Sequence, residues 1–134
     1  MPSLMTLSRL LILISGGAVG TLLRYFMSGF IQRSFAKPFP YGTLLVNLAG
    51  CFLIGIFAGV HAKSGLSEEA KLFLTAGFCG AFTTFSTFIF ETADLASHAG
   101  IVPASVNIAA SVAGGLILFF AGLFLVRTFY PAAL

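Results

Sequence analysis

The amino-acid sequence predicts an all-α membrane protein built from four transmembrane helices. The chain is 58% hydrophobic and only 8% charged, whereas a soluble domain carries about a quarter charged residues. Four apolar segments each approach the ~20 residues needed to cross the hydrocarbon of a bilayer. Short links join these segments. The 134 residues are therefore expected to form a single four-helix transmembrane domain, with no separate soluble part.

The first two predicted helices cover residues 10–31 and 41–60. Arg9 followed by an apolar run is also typical of a secretory signal peptide. However, the apolar character continues through Phe30, and the rest of the chain does not resemble a mature secreted domain, so a spanning helix is favoured. Pro38 and Pro40 precede the second helix and mark its boundary.

The third and fourth predicted helices cover residues 68–92 and 103–126. Ser67 is a predicted N-cap, and two glutamates come directly after it, where they complement the positive end of a helix dipole. Pro103 suits the first turn of the fourth helix. Small residues recur at four-residue spacing in the first, second and fourth helices, which allows close helix approach. We expect most of them to pack within one subunit.

The third helix contains an unusual segment, residues 77–88. Its twelve residues include two glycines, four hydroxyl side chains and four phenylalanines. A lipid-facing helix has no use for so many hydroxyls, and glycine beside paired threonines disfavours an unbroken helix. Irregular backbone at membrane depth is tolerated only where protein buries it or where it lines a cavity. The segment therefore predicts a helix break and a functional site.

Polar side chains also lie inside two other predicted helices. Asn47 and Thr43 share a face of the second helix because they are four residues apart, and Asn107 and Ser111 have the same spacing in the fourth. Each residue alone is explained by interhelical hydrogen bonding, worth ~0.6 kcal/mol on average. Three helices with polar faces, taken together, favour a lined path.

The chemistry of this path indicates an anion rather than a cation. Its polar groups are amides and hydroxyls, and no embedded ring of carboxylates provides a cation route. Phe82, Phe85 and Phe88 recur at three-residue spacing, which predicts that they lie near one helix face. Phenyl edges carry partial positive charge and can stabilise a small anion. For any one ring, simple packing remains the alternative.

The basic residues leave two topologies open. With four spans, one membrane side holds four of them and the other holds two or three: Arg9, Lys63, Lys71 and Arg127 against Arg33, Lys37 and, by snorkelling, Arg24. Such a bias is weak under the positive-inside rule. One interpretation is a single orientation with the four-charge side cytoplasmic. The other is insertion both ways round, giving an antiparallel dimer.

Other classes of function are disfavoured. Seven scattered Lys and Arg residues form no basic stripe for nucleic acid. Cys51 and Cys79 have no metal-ligand or C-x-x-C spacing, and no phosphate-binding loop or catalytic triad suggests an enzyme. A small multidrug-type, proton-coupled exporter also uses four short helices, but it needs a carboxylate in its first helix, where this chain has none.

The sequence resembles the Fluc (CrcB) fluoride ion channel family across all four spans. The resemblance lies in these residues: Gly17, Gly20, Arg24 and Tyr25; the run 42–48 with Gly50; Gly77-Phe78-Cys79-Gly80 with Thr83-Thr84-Phe85-Ser86-Thr87-Phe88; and Asn107, Ser111 and Gly115. One departure is Ile89, where the family pattern usually has serine. The missing hydroxyl is expected to alter one polar contact along the path.

The resemblance implies an antiparallel, dual-topology homodimer in the lipid of the cell inner membrane, with two fluoride pathways. It assigns ring edges of Phe85 and Phe88, the amide of Asn47, and the fourth-helix pair Asn107 and Ser111 to these pathways. The polar faces described above add three hydroxyls to the predicted pathway: Thr43, Ser86 and Thr87. The implied function is passive exit of cytoplasmic fluoride, which lowers its toxicity.

The resemblance also implies one cofactor, a structural Na⁺ at the dimer centre. Its implied ligands are the backbone carbonyls of Gly80 and Thr83 from both subunits, which agrees with the preference of hard cations for freed helix carbonyls. Arg24 matches a first-helix arginine with a structural or vestibular role. Glu91 is expected to form an ion pair or to provide a vestibule charge.

Overall fold

A computed structural model describes residues 7–35 and 38–129 of the chain, which are entirely helical apart from short connections. Lys37, one of the basic residues counted above, lies outside them. Helix α1 is Leu7–Ser34, and α2 is Tyr41–Ser64. The third span consists of α3 (Glu68–Lys71), a π-helical segment (Leu72–Cys79), α4 (Gly80–Phe82) and α5 (Phe85–Ala99). Helix α6 is Ile101–Phe129.

The four-span prediction is confirmed, because four helical stretches are long and apolar enough to cross a membrane. The helices are longer than the predicted ranges. For example, α1 begins three residues before residue 10 and ends three residues after residue 31. Apolar windows mark the part of a helix that lies in hydrocarbon. The backbone hydrogen bonds continue beyond that part, into the more polar ends.

Helix starts depend on local side-chain chemistry. Ser67 is the N-cap of α3, as predicted, and its hydroxyl accepts from the Ala70 N–H at 3.1 Å. The start of α2 has no cap from its own N-cap residue, Pro40. Instead Gln32 of α1 accepts from the Gly42 N–H at 3.0 Å and donates to the Phe39 carbonyl at 3.1 Å. One glutamine near the end of α1 thereby ties that helix to the start of α2.

The turn between the third and fourth spans is a single residue. Helix α5 ends at Ala99 and α6 begins at Ile101. Gly100, between them, has φ of 97°, in the left-handed region that favours glycine. A connection this short makes α5 and α6 antiparallel neighbours.

Glycines bring α2 and α6 into close contact. A Cβ on Gly55 would overlap the carbonyl oxygen of Phe119, and one on Gly122 would overlap that of Phe52. A Cβ on Gly59 would lie 2.9 Å from the side-chain Cβ of Val126. On the other side of the molecule, Gly16 and Gly20 of α1 approach carbonyls of the third span. These small residues pack within one subunit, as predicted.

The third span is broken, as predicted, but threonines rather than glycine form the break. Gly80 has helical φ and ψ of −61° and −33°. Thr83 (−94°, 159°) and Thr84 (−148°, 121°) are extended. β-branched side chains are at ease in extended backbone. The π-helical segment before the break was not predicted. π-Helical turns are rare and commonly occur at functional sites.

Candidate functional site

The break is held open by Asn47 of α2. Its Nδ2 donates to the Thr84 carbonyl at 2.9 Å, and its Oδ1 accepts from the Thr84 N–H at 2.8 Å. Both polar backbone groups of Thr84 are thus paired with one amide across helices. An isolated extended residue at membrane depth would leave such groups unsatisfied at a cost of several kcal/mol. Asn47 therefore stabilises the interruption of the third span.

Thr84 also begins the next helix. It is the N-cap of α5, and its hydroxyl accepts from the Thr87 N–H at 3.3 Å and donates to the Thr87 hydroxyl at 3.0 Å. Sequence reasoning did not single out Thr84. A usable signal was present, because threonine is a favoured N-cap residue and the segment before Phe85 was expected to be irregular.

The same bonds release two carbonyls of the third span. In a continuous helix the Thr84 N–H would donate to the Gly80 carbonyl, and the Thr87 N–H to the Thr83 carbonyl. Here these N–H groups donate to the Asn47 Oδ1 and the Thr84 hydroxyl. Gly80 and Thr83 are the two residues predicted as metal ligands. Their carbonyls have lost their helical donors and suit a hard cation.

Arg24 of α1 reaches the break from the other side. Its Nε donates to the Ala81 carbonyl at 3.0 Å, and Ala81 precedes the break by two residues. Of the two loop-charge counts that the sequence left open, the one without Arg24 is favoured, because its guanidinium is held by a carbonyl of the third span. Arg24 leaves the loop charge count, which becomes four on one side against Arg33 and Lys37 on the other.

A cavity of about 350 Å³ opens beside the break. It is lined by α2, by both sides of the break and by α6. Six of the predicted site residues line it: Asn47, Gly80, Thr83, Phe85, Phe88 and Ser111. Cys51, Cys79 and Thr84 also line it. Three helices thus contribute to one cavity, as the polar faces indicated.

The phenylalanines divide between two environments. The rings of Phe85 and Phe88 line the cavity with centroids 5.7 Å apart and planes at 43°. Phe82 does not share their face, contrary to the three-residue spacing argument, because the break separates it from α5. Its ring is 2% exposed and stacks on Phe78 at 5.5 Å. Phe82 therefore packs the core, and Phe85, which is 75% exposed, does not.

The predicted α6 residues have different positions. Ser111 lines the cavity, and its buried hydroxyl has no partner among the described residues. Asn107 does not line it; it is 1% exposed and donates to the Thr92 hydroxyl at 2.8 Å. Thr92 in turn donates to the Phe88 carbonyl at 2.6 Å. Thr92 was not predicted as a site residue, and no sequence signal distinguished it from a packing threonine.

Four other predicted residues lie around this cavity rather than in its lining. Thr43 is buried. Glu91 lines a second cavity of about 230 Å³ with Gln32 and Asp94, and its Oε2 is buried without a partner among the described residues. Thr87 accepts a hydrogen bond from the hydroxyl of Thr84, the N-cap residue of α5, and Ser86 beside it is exposed.

Fold and site together define a small multi-pass membrane protein with a broken helix at mid-membrane. The break, at residues 83–84, lies in the middle of the third span Glu68–Ala99. Discontinuous helices of this kind form ion and substrate sites in membrane transport proteins, because their ends expose partial charges.

Known sequences place the chain in a family. Residues 11–123 match the family described as CrcB-like protein, Camphor Resistance (CrcB). The fluoride-specific ion channel FluC of Rhizobium etli is 43% identical over 118 residues, which cover 87% of this chain and 94% of that protein. FluC of Citrifermentans bemidjiense is 43% identical over 112 residues, covering 83% and 90%. The chain belongs to the CrcB family.

Proposed function

We propose that this protein is a fluoride-selective channel that lets cytoplasmic fluoride leave the cell passively. The observation that carries the proposal is one cavity at mid-membrane lined by Asn47, the Phe85 and Phe88 rings, and the Ser111 hydroxyl. The FluC relatives support the identity of the ion. Hydrogen fluoride enters cells as a neutral acid and dissociates inside, so a path for the anion lowers its toxicity.

The ends of the broken helix favour an anion on one side of the break. Helix α5 begins at Phe85, and the free N–H groups of a helix start carry partial positive charge. Phenyl edges at the same place add positive potential. Asn47 uses one N–H on Thr84, and an amide nitrogen carries two. The second N–H is the donor that we assign to fluoride.

The same break fits a structural Na⁺, which we propose as the cofactor. The Gly80 and Thr83 carbonyls have lost their helical donors, and both residues line the cavity. Two copies would supply four oxygens, in keeping with the oxygen ligands of hard cations. The sodium would balance the converging carbonyl dipoles. Purified protein should melt at a higher temperature in sodium than in N-methyl-D-glucamine buffer; equal melting temperatures would contradict the cofactor.

We further propose that two copies form an antiparallel homodimer in the inner membrane. Phe85 is 75% exposed, and Ser86 beside it is also exposed, close to the middle of the span. Hydroxyls and irregular backbone at this depth need protein around them. A second copy covers this face and completes the cavity. The loop charges, four against two without Arg24, do not by themselves fix one orientation.

Efflux from vesicles tests the channel function. Liposomes containing the purified protein and loaded with fluoride should release it rapidly to an electrode, while the same liposomes loaded with chloride should release very little. Comparable chloride release would contradict the proposed fluoride selectivity. A small multidrug-type exporter is the alternative, and it predicts flux that depends on an imposed pH gradient. Flux set only by the fluoride gradient and the voltage excludes it.

A further inference from the structure

Thr92 occupies a position between the cavity and α6. It lies on α5, one turn after Phe88, and is 8% exposed. Its hydroxyl makes two hydrogen bonds, one to the Phe88 carbonyl at 2.6 Å and one from the Asn107 Nδ2 at 2.8 Å. These bonds form a chain that joins the Phe88 turn of α5 to the polar face of α6.

The direction of this chain is set by proton counting. A threonine hydroxyl has a single proton, and Thr92 donates its proton to the Phe88 carbonyl. Towards Asn107 the hydroxyl can therefore only accept. An amide that faces an acceptor must present its nitrogen, so Thr92 decides which end of the Asn107 side chain faces it.

The opposite end of the amide is consequently fixed as well. Asn107 Oδ1 is buried and has no partner among the described residues, and the same is true of the Ser111 hydroxyl one turn further along α6. Ser111 lines the cavity with Phe88. Burying an unpaired acceptor is costly, which favours a donor such as a water or a hydroxyl beside Asn107 Oδ1. A reversed amide would put two donors there instead.

We infer that Thr92 is a positioning residue for fluoride passage. It acts through Asn107, whose amide it orients, and through its bond to the carbonyl of Phe88, a residue that lines the cavity. This inference rests on the proposed fluoride channel function. The inference adds a residue that does not line the cavity. It also fixes which end of the Asn107 amide is which: the nitrogen faces Thr92, and the oxygen is the end left for a donor on the Asn107–Ser111 face.

A matched residue on the same helix separates this role from ordinary helix support. Ser97 donates to the Ala93 carbonyl at 3.0 Å, the same bond to the residue four positions earlier that Thr92 makes to Phe88. Ser97 is exposed, and it has no bond to α6 among those in the described residues. If the intrahelical bond alone mattered, Ser97→Ala and Thr92→Val would have similar effects.

The test compares fluoride efflux from liposomes for five variants: Thr92→Val, Thr92→Ser, Ser97→Ala, Asn107→Ala, and Thr92→Val combined with Asn107→Ala. Thr92→Val keeps the side-chain shape and should lower fluoride flux about tenfold, the size expected for a lost buried hydrogen bond. Thr92→Ser keeps the hydroxyl and should stay within about twofold of wild type, as should Ser97→Ala. Adding Asn107→Ala to Thr92→Val should cost no more than the larger single effect, because both act through one contact.

Each outcome decides the question. Wild-type flux in Thr92→Val, or effects that multiply in the double variant, overturns the positioning role. If Thr92→Val no longer elutes as folded protein from a sizing column, Thr92→Ala is measured in its place, and misfolding of both makes Thr92 a purely structural residue. A wild-type protein that passes chloride as fast as fluoride contradicts the channel function itself. Failure of the channel function is thus distinguishable from failure of the Thr92 inference.

Discussion

The α2–α6 contact and the break of the third span are held together by different means. Between α2 and α6, glycines such as Gly55 and Gly122 let backbones touch, and both helices are continuous. At the break, single side chains hold the backbone: Asn47 pairs with Thr84, and Arg24 with Ala81. The first region depends on the absence of side-chain atoms, and the second on particular donors and acceptors.

This difference assigns the two regions different roles: the α2–α6 contact contributes to stability, and the break contacts the ion. The glycine contacts bring two continuous helices together backbone to backbone, and they therefore support the fold. The break exposes a carbonyl end at α4 and an N–H end at α5, within one cavity. Opposite partial charges at these ends suit a cation and an anion, respectively. Substitutions in the two regions should therefore fail in different assays.

The largest effect is expected in the α2–α6 contact. In Gly122→Ala the new Cβ would overlap the Phe52 carbonyl. Backbone cannot swing away as a side chain does, so we expect destabilisation of at least the ~1–3 kcal/mol typical of overpacking. The measurement is the yield and melting temperature of protein eluting as one species in detergent. Gly29→Ala is the control, because nothing lies within 4 Å of its Cβ position. Equal behaviour of the two variants would show that the helices do not pack this closely.

The next largest effect is expected at the break, and chiefly in transport. Asn47→Asp keeps an acceptor for the Thr84 N–H but replaces the donor to the Thr84 carbonyl with a second oxygen. It also removes the N–H that we assign to fluoride. Two lost interactions of ~1–3 kcal/mol each should lower fluoride flux by about a hundredfold or more. Elution as in wild type should be retained; wild-type flux in this variant would refute the role of Asn47.

The break itself was predictable from sequence, and its construction was not. Two glycines and four hydroxyls inside an apolar span are incompatible with a plain lipid-facing helix, so residues 77–88 marked the site. The choice of Thr83 and Thr84 over Gly80 as the extended residues depended on Asn47, 37 positions away from Thr84. Local backbone propensity contains no information about a partner so far away in the sequence.

The direction of side chains was the second feature that could not be predicted from the sequence. The spacing of Phe82, Phe85 and Phe88 predicts one face only if the helix is continuous, and the break turns Phe82 into the core. Arg24 likewise looked close enough to a helix end to snorkel, until Ala81 provided an acceptor at membrane depth. For the phenylalanines the break interrupted the helical periodicity, and for Arg24 the tertiary partner was not visible in the sequence.

A moderate effect is expected for Phe85. The ring is 75% exposed and lines the cavity, so Phe85→Ile removes an aromatic edge without disturbing the core. An edge interaction of ~0.5–1.5 kcal/mol corresponds to a loss of fluoride flux of up to about tenfold. Phe124→Ile is the control, since Phe124 is 68% exposed on α6 and lies outside the cavity lining. Similar flux in both variants would remove Phe85 from the pathway.

The smallest effect is expected where the chain departs from its family's pattern. By the resemblance, serine would be expected at the position of Ile89, which suggested an altered polar contact along the path. The side chain is 49% exposed and does not line the cavity. The polar bonds of α5 run instead from Phe88 and Thr92 to α6. Ile89→Ser should therefore change fluoride flux by less than about twofold, as for other partly exposed sites. A gain of about fivefold or more, well outside that range, would mean that a hydroxyl at position 89 does reach the ion, and that the pathway extends across the exposed face of α5 to a second copy.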